Sequence, residues 1–407
     1  MTGNCCTNAR EAILRLRTGG PRAAFRRDSY DPGTLMSAKK KPTGLSLRSL
    51  AGLAGVSVST VSRALHNHAA ISAPVRKRLQ ALARRHGYEI NPLVAQVYAK
   101  ARAGRGFGHI GTLAYVTAYE TPTWWRSHPT LCGFHDGVVE RARQMGLGVD
   151  EFWALEPGLK GLRLTQILQA RGIGGVVLAP VPGGNAEGLF DWNNFSVALL
   201  GVSVKVPRLN RAAANLRHTV QLAVNELARR GYRRIGLVLR RRYHEMTDFS
   251  ILSAFLLFQH ELPARDVVPI EVPAEWNEKN FLAWFERHQP EAIIGSVGPA
   301  RAWLTKAGYQ CPRDVGLVSL DWDAAAKEFA SVDQNPRGVG AAAVDLVMAQ
   351  MRHNERGLPA TPLSVLVDST WWPGRTLRQR GAAWTPAFLA DAAVGEAPVG
   401  TGLAVSL

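Results

Sequence analysis

The chain has 407 residues, 46% of them hydrophobic, which excludes a globally disordered protein and allows a small domain plus one larger body. Its formal charge of +17 is uneven: residues 36–105 hold thirteen Lys or Arg against one acid, Glu89. A basic segment on a nearly neutral body points to a polyanion partner, against the plainer reading of a solvated basic face.

Residues 1–44 form a basic N-terminal extension without a sustained apolar period, and read as disordered. Met36, followed by Ser-Ala-Lys-Lys-Lys, is an expected alternative start. Cys5 and Cys6 in this extension, with Cys132 and Cys311, have no C-x-x-C spacing, so neither a disulfide framework nor a zinc site is expected. No metal or other cofactor is expected. No apolar run approaches the ~18 residues of a membrane span and no secretion signal is evident, so the expected location is cytoplasmic, without a membrane partner.

Residues 45–90 read as three helices. Leu47, Leu50, Ala51 and Ala54 form the inner face of the first. Gly55 supplies the backbone conformation of a sharp turn, and Val56 plugs the angle between two helices. Ser57 is the N-cap of the second helix. Val61 and Leu65 bury that helix, leaving Val58, Ser59, Ser62 and Arg63 outward. An apolar back with a front of short polar residues and one Arg suits a helix that enters the DNA major groove. There Arg63 can pair bidentately with guanine. Ser72 caps a third helix, Ala73 to His86, braced by Val75, Leu79 and Leu82. Arg76, Lys77, Arg84 and Arg85 are placed near the DNA backbone. An ordinary small helical bundle is the alternative, and turn chemistry, spacing and charge argue against it.

Residues 91–108 read as a short helix and a Gly-rich linker. Gly106-x-Gly-x-x-Gly111 precedes a strand instead of following one, so it carries no phosphate site. Residues 109–380 alternate strand and helix. The expected strands are 110–116, 175–179, 196–201, 234–239, 292–295 and 315–320. The expected helices are 132–145, 219–230, 301–307 and 338–351. Such alternation implies parallel sheets with helices on both faces. The Ala-, Gly- and Pro-rich residues 381–407 read as a disordered tail without heptads. No nucleophile elbow, P-loop or paired-carboxylate signature is present, so the chain is not expected to be an enzyme.

The run Leu47-x-x-Leu-Ala-x-x-Ala-Gly-Val-Ser-x-x-Thr-Val-Ser-Arg-Ala-Leu65 resembles the headpiece of the LacI/GalR (lactose-repressor) family. Ile71-Ser72, Gly87-Tyr88 and Asn91 continue in register, and the likeness runs through Asp333-Gln334-Asn335 to about Arg375. The resemblance implies a multidomain protein: a small all-α helix-turn-helix headpiece, plus an α/β two-lobed periplasmic-binding-protein-like core with three crossovers. It implies DNA contacts from Ser46, Leu47, Ser57, Val58, Ser59 and Thr60. Further contacts are expected from Ser62, Arg63, Asn67, His68 and Ser72. It also implies a hinge helix whose apolar wedge falls on Val97, with Ile90 where the family commonly has Pro. The implied function is a repressor that binds a palindromic double-stranded operator. One helix-turn-helix covers only a half-site, so a homodimer is expected.

The resemblance also implies a small-molecule effector, with a sugar-related molecule as one candidate, in the cleft between the lobes. Candidate effector residues are Tyr119, Trp124, Asp248, Val297, Asp321 and Trp322. Trp124, Trp125 and Trp322 can stack on a planar ligand or pack the cleft walls. Ile251 stands where the family usually has a ligand-binding Arg, and Val297-Gly298 replaces a frequent Asn-Asp. A pocket less polar than a typical sugar site is therefore expected. Two alternatives stay open: a regulator without ligand response, and a solute-binding or sugar-processing protein of the same core fold.

Overall fold

The computed structural model describes residues 46–65, 68–88, 111–159 and 161–385. The expectations for residues 1–44, Asn67, the hinge segment with Val97 and residues 386–407 lie outside the described residues.

The headpiece is three helices, α1 (Leu47–Ala54), α2 (Val58–Leu65) and α3 (Ala73–Arg85). Ser46 starts α1 by accepting the Ser49 N–H at 3.0 Å. Gly55 ends it at φ 64°, and its N–H returns to the Ala51 and Gly52 carbonyls. A side chain at that φ would be strained, so the glycine fixes the turn. Leu47, Leu50, Ala51, Val61, Ala64, Leu79, Ala83 and Tyr88 form the core. Ala64, not the expected Leu65, is the fully buried residue of α2 after Val61. Leu65 sits at the edge of the contact and is half-buried. Ser72 holds the N-cap position of α3, but its hydroxyl makes no capping bond.

The core begins with β1 (Gly111–Thr117), α4 (Pro129–Gln144), β2 (Leu147–Trp153), α5 (Leu162–Ala170), β3 (Gly175–Leu178), β4 (Ser196–Leu200) and β5 (Asn210–Ala214). Next come α6 (Leu216–Arg229), β6 (Ile235–Val238), α7 (Arg241–Met246), α8 (Ser250–His260), α9 (Glu278–His288), β7 (Ala292–Gly295), α10 (Val297–Lys306), β8 (Gly316–Ser319) and β9 (Ala330–Asp333). The last elements are α11 (Pro336–His353), β10 (Ser364–Val367) and β11 (Thr370–Trp372). They build two sheets. The first has the order β10-β5-β4-β3-β1-β2 and is parallel throughout. The second has the order β11-β9-β8-β7-β6, with only β11 antiparallel. Strands β1, β3, β4, β6 and β7 are almost wholly buried, as sheets covered on both faces require.

The chain passes between the lobes three times: from β5 to α6, from β9 to α11, and from β10 to β11. Asn215 and Asn335 cap the helices that follow the first two passages, accepting the N–H of His218 and Gly338. The first and third passages are joined by Asn215 Nδ2 donating to Asp368 (2.8 Å) and by the Thr219–Ser369 hydroxyl pair (2.8 Å). In the first lobe α4 crosses α11 with backbones in contact. A Cβ on Gly137 would stand 2.0 Å from the Arg337 carbonyl oxygen, so only glycine fits the crossing.

The tail expected from residue 381 does not hold for residues 381–385. Residues 381–385 lie on the second lobe, where the Trp384 indole N–H donates to the Tyr232 carbonyl at 2.9 Å. An aromatic anchor outweighs the Ala-Gly composition around it. No helix among the described residues is long and apolar enough to cross a membrane.

Candidate functional site

Two surfaces carry chemistry. On the headpiece, Ser57 Oγ accepts the Thr60 N–H at 3.1 Å and so starts α2. It also shares hydrogen bonds of 2.8 Å with the Ser59 and Thr60 hydroxyls. Ser59 and Arg63 are exposed and four residues apart, on one face of α2. Ser62 and Thr60 flank them, half-buried. Val58 is half-buried against the headpiece core and not fully outward as expected. Leu47 is 2% exposed and packs that core, which leaves it little face for a partner. Ser46 is committed to its cap and to the Ser49 hydroxyl at 2.9 Å.

His68 is exposed, and its Nδ1 accepts the Ala70 N–H at 3.2 Å, so Nε2 carries the outward proton of the neutral ring. Ser72 is exposed at the mouth of α3. Gln80 braces α3 against α2 through the Ala64 carbonyl (3.0 Å). The described headpiece residues hold seven Lys or Arg and no acid. The module therefore presents a rigid, polar, positively charged helix face of the width a DNA groove admits.

The second surface is a cavity of about 590 Å³ with walls from both lobes. The first lobe supplies Trp124, His128, Thr130, Leu131, Phe134 and Ser203; the second supplies Arg242, Tyr243, Met246, Val297, Asp321, Trp322 and Gln334, among others. The walls stand where strands end. Gly295, at φ 134°, closes β7 where a Cβ would meet the Val238 carbonyl oxygen at 2.2 Å, and it directs the chain into α10 with Val297 in the wall.

Asp321 is the polar centre. Its carboxylate accepts the Tyr243 hydroxyl at 2.9 Å, Gln334 Nε2 at 2.9 Å and, from the other lobe, Thr130 Oγ1 at 3.5 Å. Gln334 also donates to the Leu320 carbonyl at 2.7 Å. Ser319 fixes the backbone of Asp321 from both sides, donating to its carbonyl and accepting its N–H. Burial raises the Asp321 pKa, and the Tyr243 and Thr130 hydrogen bonds partly oppose this. Burial, then the Asp321 charge, raises that of Tyr243. Asp321 caps no helix: the cap of 324–326 is Asp323, which accepts the Ala325 N–H at 2.9 Å.

Of the expected effector residues, the cavity gathers Trp124, Val297, Asp321 and Trp322. Two of the expected residues do not line it. Tyr119 lies behind the wall, 2% exposed, and stacks on Trp124 at 5.1 Å. Asp248 is exposed outside the cavity and forms an ion pair across the lobes with Lys205. Trp125 is core: it is 2% exposed and its indole donates to the Pro122 carbonyl at 3.1 Å. Trp322 keeps a cavity-side ring and packs at 5.7 Å from Trp372.

Sequence reasoning did not single out Thr130, Tyr243 and Gln334. Tyr243 lies on α7, a helix outside the expected set. Ile251 is fully buried in α8, while Arg242 is a lining residue of the wall from α7.

Residues 46–91 match the family described as bacterial regulatory proteins, lacI family, and residues 224–375 match a periplasmic binding protein-like domain. Among solved structures, the chain is similar to a transcription regulator-like protein from Staphylococcus haemolyticus. The identity is 12% over 66% of this chain and 99% of that one, with a TM-score of 0.50. That likeness is one of fold. A transcriptional regulator CelR–cellobiose complex aligns at 17% identity over 81% of this chain and 99% of that one, with a TM-score of 0.49. A lac repressor dimer bound to operator and the anti-inducer ONPF aligns at 17% identity over 82% and 99%, with a TM-score of 0.47. No curated protein matches the chain.

Proposed function

We propose that the chain, with its lacI-family match over residues 46–91 and its periplasmic-binding-protein-like match over residues 224–375, is a DNA-binding transcriptional regulator of the lacI family, a repressor that binds a palindromic operator as a homodimer and releases or tightens its hold when a small molecule enters the interlobe cavity. The observation that carries the DNA half is the exposed Ser59–Arg63 face of α2 on a headpiece whose described residues hold no acid. The cavity supports the ligand half. Its walls come from both lobes, so a ligand that bridges them biases their relative position.

The proposed ligand is a small organic molecule, sugar-related or planar, with a hydrogen-bonding group for the Asp321 cluster and a face for Trp322. The flanking walls, with Leu131, Phe134, Met246 and Val297, favour an apolar side on that molecule. A regulator without ligand response is the second reading. It is favoured by an Asp321 carboxylate already engaged by three internal donors. A thermal-shift screen of sugars and planar metabolites on the full chain separates the two, because specific binding raises the melting temperature. A hit that is lost in Trp322→Ala supports the effector reading. A screen without hits, beside intact operator binding, supports the second.

A further inference from the structure

The charged residues that line the interlobe cavity do not pair with one another. Besides His128 they are Arg240, Arg242, Asp321 and Asp323. Two are engaged elsewhere: Arg240 reaches Glu275 at 3.4 Å, and Asp323 accepts the Ala325 N–H as a cap. The other two differ. The Asp321 carboxylate is held by neutral donors alone, the Tyr243 hydroxyl, the Gln334 amide and the Thr130 hydroxyl. Among the described residues no Lys or Arg forms an ion pair with it. Arg242, an exposed residue of the same cavity, has neither an ion pair nor a hydrogen bond among the described residues.

A carboxylate taken out of water is ordinarily matched by a cation. Neutral hydrogen bonds occupy the lone pairs of Asp321 but leave its charge uncompensated. Its Oδ2 accepts only the Tyr243 hydroxyl, and a carboxylate oxygen has two lone pairs, so one acceptor position remains. A ligand ammonium supplies both the proton and the opposite charge. Arg242 suits the reverse, an anionic acceptor, and a guanidinium pairs best with a planar one such as a carboxylate. Two further donors of the lining residues have no acceptor: the indole N–H of Trp322, which can only donate, and the hydroxyl of Ser203. A sugar brings neutral hydroxyls and leaves both charges as they are.

We propose that the effector is an amino acid with a large apolar side chain. Its ammonium binds Asp321, its carboxylate binds Arg242, and its side chain lies among Leu131, Phe134, Met246 and Val297. The proposal rests on the effector reading above and narrows its ligand class. Asp321 and Arg242 both belong to the second lobe, and Tyr243, which donates to Asp321, follows Arg242 in α7. The charged end therefore binds one lobe, and the apolar end reaches Leu131 and Phe134 of the other.

Calorimetric titration of the full chain with L-leucine, L-methionine, L-phenylalanine and L-tryptophan tests the class, with D-glucose and cellobiose beside them. At least one of the amino acids is expected to bind. Its des-amino acid and its decarboxylated amine are each expected to bind roughly tenfold or more weakly, since each loses a hydrogen bond between charged groups. Arg242→Gln should weaken the amino acid by a similar factor and leave the amine unchanged. Asp321→Asn should weaken the amino acid and leave the des-amino acid unchanged. Arg242 is exposed, so its variant separates ligand loss from unfolding, and a melting curve checks this. A des-amino acid or an amine that binds as tightly as its parent overturns the proposal. So does an equal loss of all three ligands in Arg242→Gln. Binding of a sugar while the amino acids stay silent overturns the ligand class and leaves the effector reading standing. Silence from the amino acids and from the whole sugar and metabolite screen, beside intact operator binding, overturns both.

Discussion

The Tyr243 hydroxyl donates to the Asp321 carboxylate at 2.9 Å, which ties α7 to the loop after β8 at the floor of the interlobe cavity. The same carboxylate takes Gln334 Nε2 at 2.9 Å. Asp321 is thus both the polar centre offered to a ligand and an internal brace.

Asp321→Ala is therefore expected to do two things at once. It leaves the Tyr243 hydroxyl and one Gln334 proton without an acceptor, and an orphaned buried donor costs about 1–3 kcal/mol. The melting temperature of the ligand-free protein should fall by several degrees, at roughly 2–4 °C per kcal/mol. Response to any ligand found in the screen should also disappear. Melting curves and calorimetric titration of the variant check both. An unchanged melting temperature would show that the brace contributes nothing.

The raised Asp321 pKa gives a signed pH effect. Burial lifts it above its ordinary 3.8. Between that value and the folded one, the folded state holds more protons than the unfolded state, so stability falls as pH rises. The contribution is fully present below 3.8 and lost as pH rises through the folded value. Measured against Asp321→Asn, the wild type should be relatively most stable at the acid end and lose ground as pH increases. A wild-type advantage that grows with pH would reverse the sign.

Ser57 gives a prediction on the headpiece. Its Oγ accepts the Thr60 N–H at 3.1 Å. Ser57→Ala should cost about 1 kcal/mol of headpiece stability, and Ser57→Gly only a few tenths. Operator affinity should weaken with the Ala variant and recover in part with Gly. Circular dichroism melts of the headpiece transition in the full chain provide the measurement. Equal loss in both variants would point to a role outside capping.

The headpiece was legible because its signals are local: Gly55 at a left-handed turn, Ser57 at a cap, and apolar residues at helical spacing. Strands such as β3 and β7 were legible as short apolar runs. β5 was not, because Asn210-Arg-Ala-Ala-Ala214 has little β propensity and is held as a strand by β4 and β10 on either side. The Trp384 anchor was hidden by composition, since one aromatic outweighs a row of small residues. In the cleft, Asp321, Trp322 and Val297 came from register with a known family. Tyr119 and Asp248 lie off the cavity because a place in a loop after a strand gives nearness in sequence to the strand end, not the direction of a side chain. Asp248 sits at φ 52° and turns outward to Lys205. Thr130 and Gln334 reach Asp321 from 191 and 13 residues away in the chain, a pairing only the tertiary fold creates.

The central claim is that α2 reads DNA sequence as part of a dimer. Selection of sequences bound by the full chain from a random duplex pool tests it most directly, run beside Arg63→Ala. The account predicts an enriched palindrome with half-sites about one helical turn apart. Arg63→Ala should bind it roughly 1–3 kcal/mol more weakly and lose preference at one base pair per half-site. A pool without an enriched palindrome, or the same base preferences with and without Arg63, would contradict it.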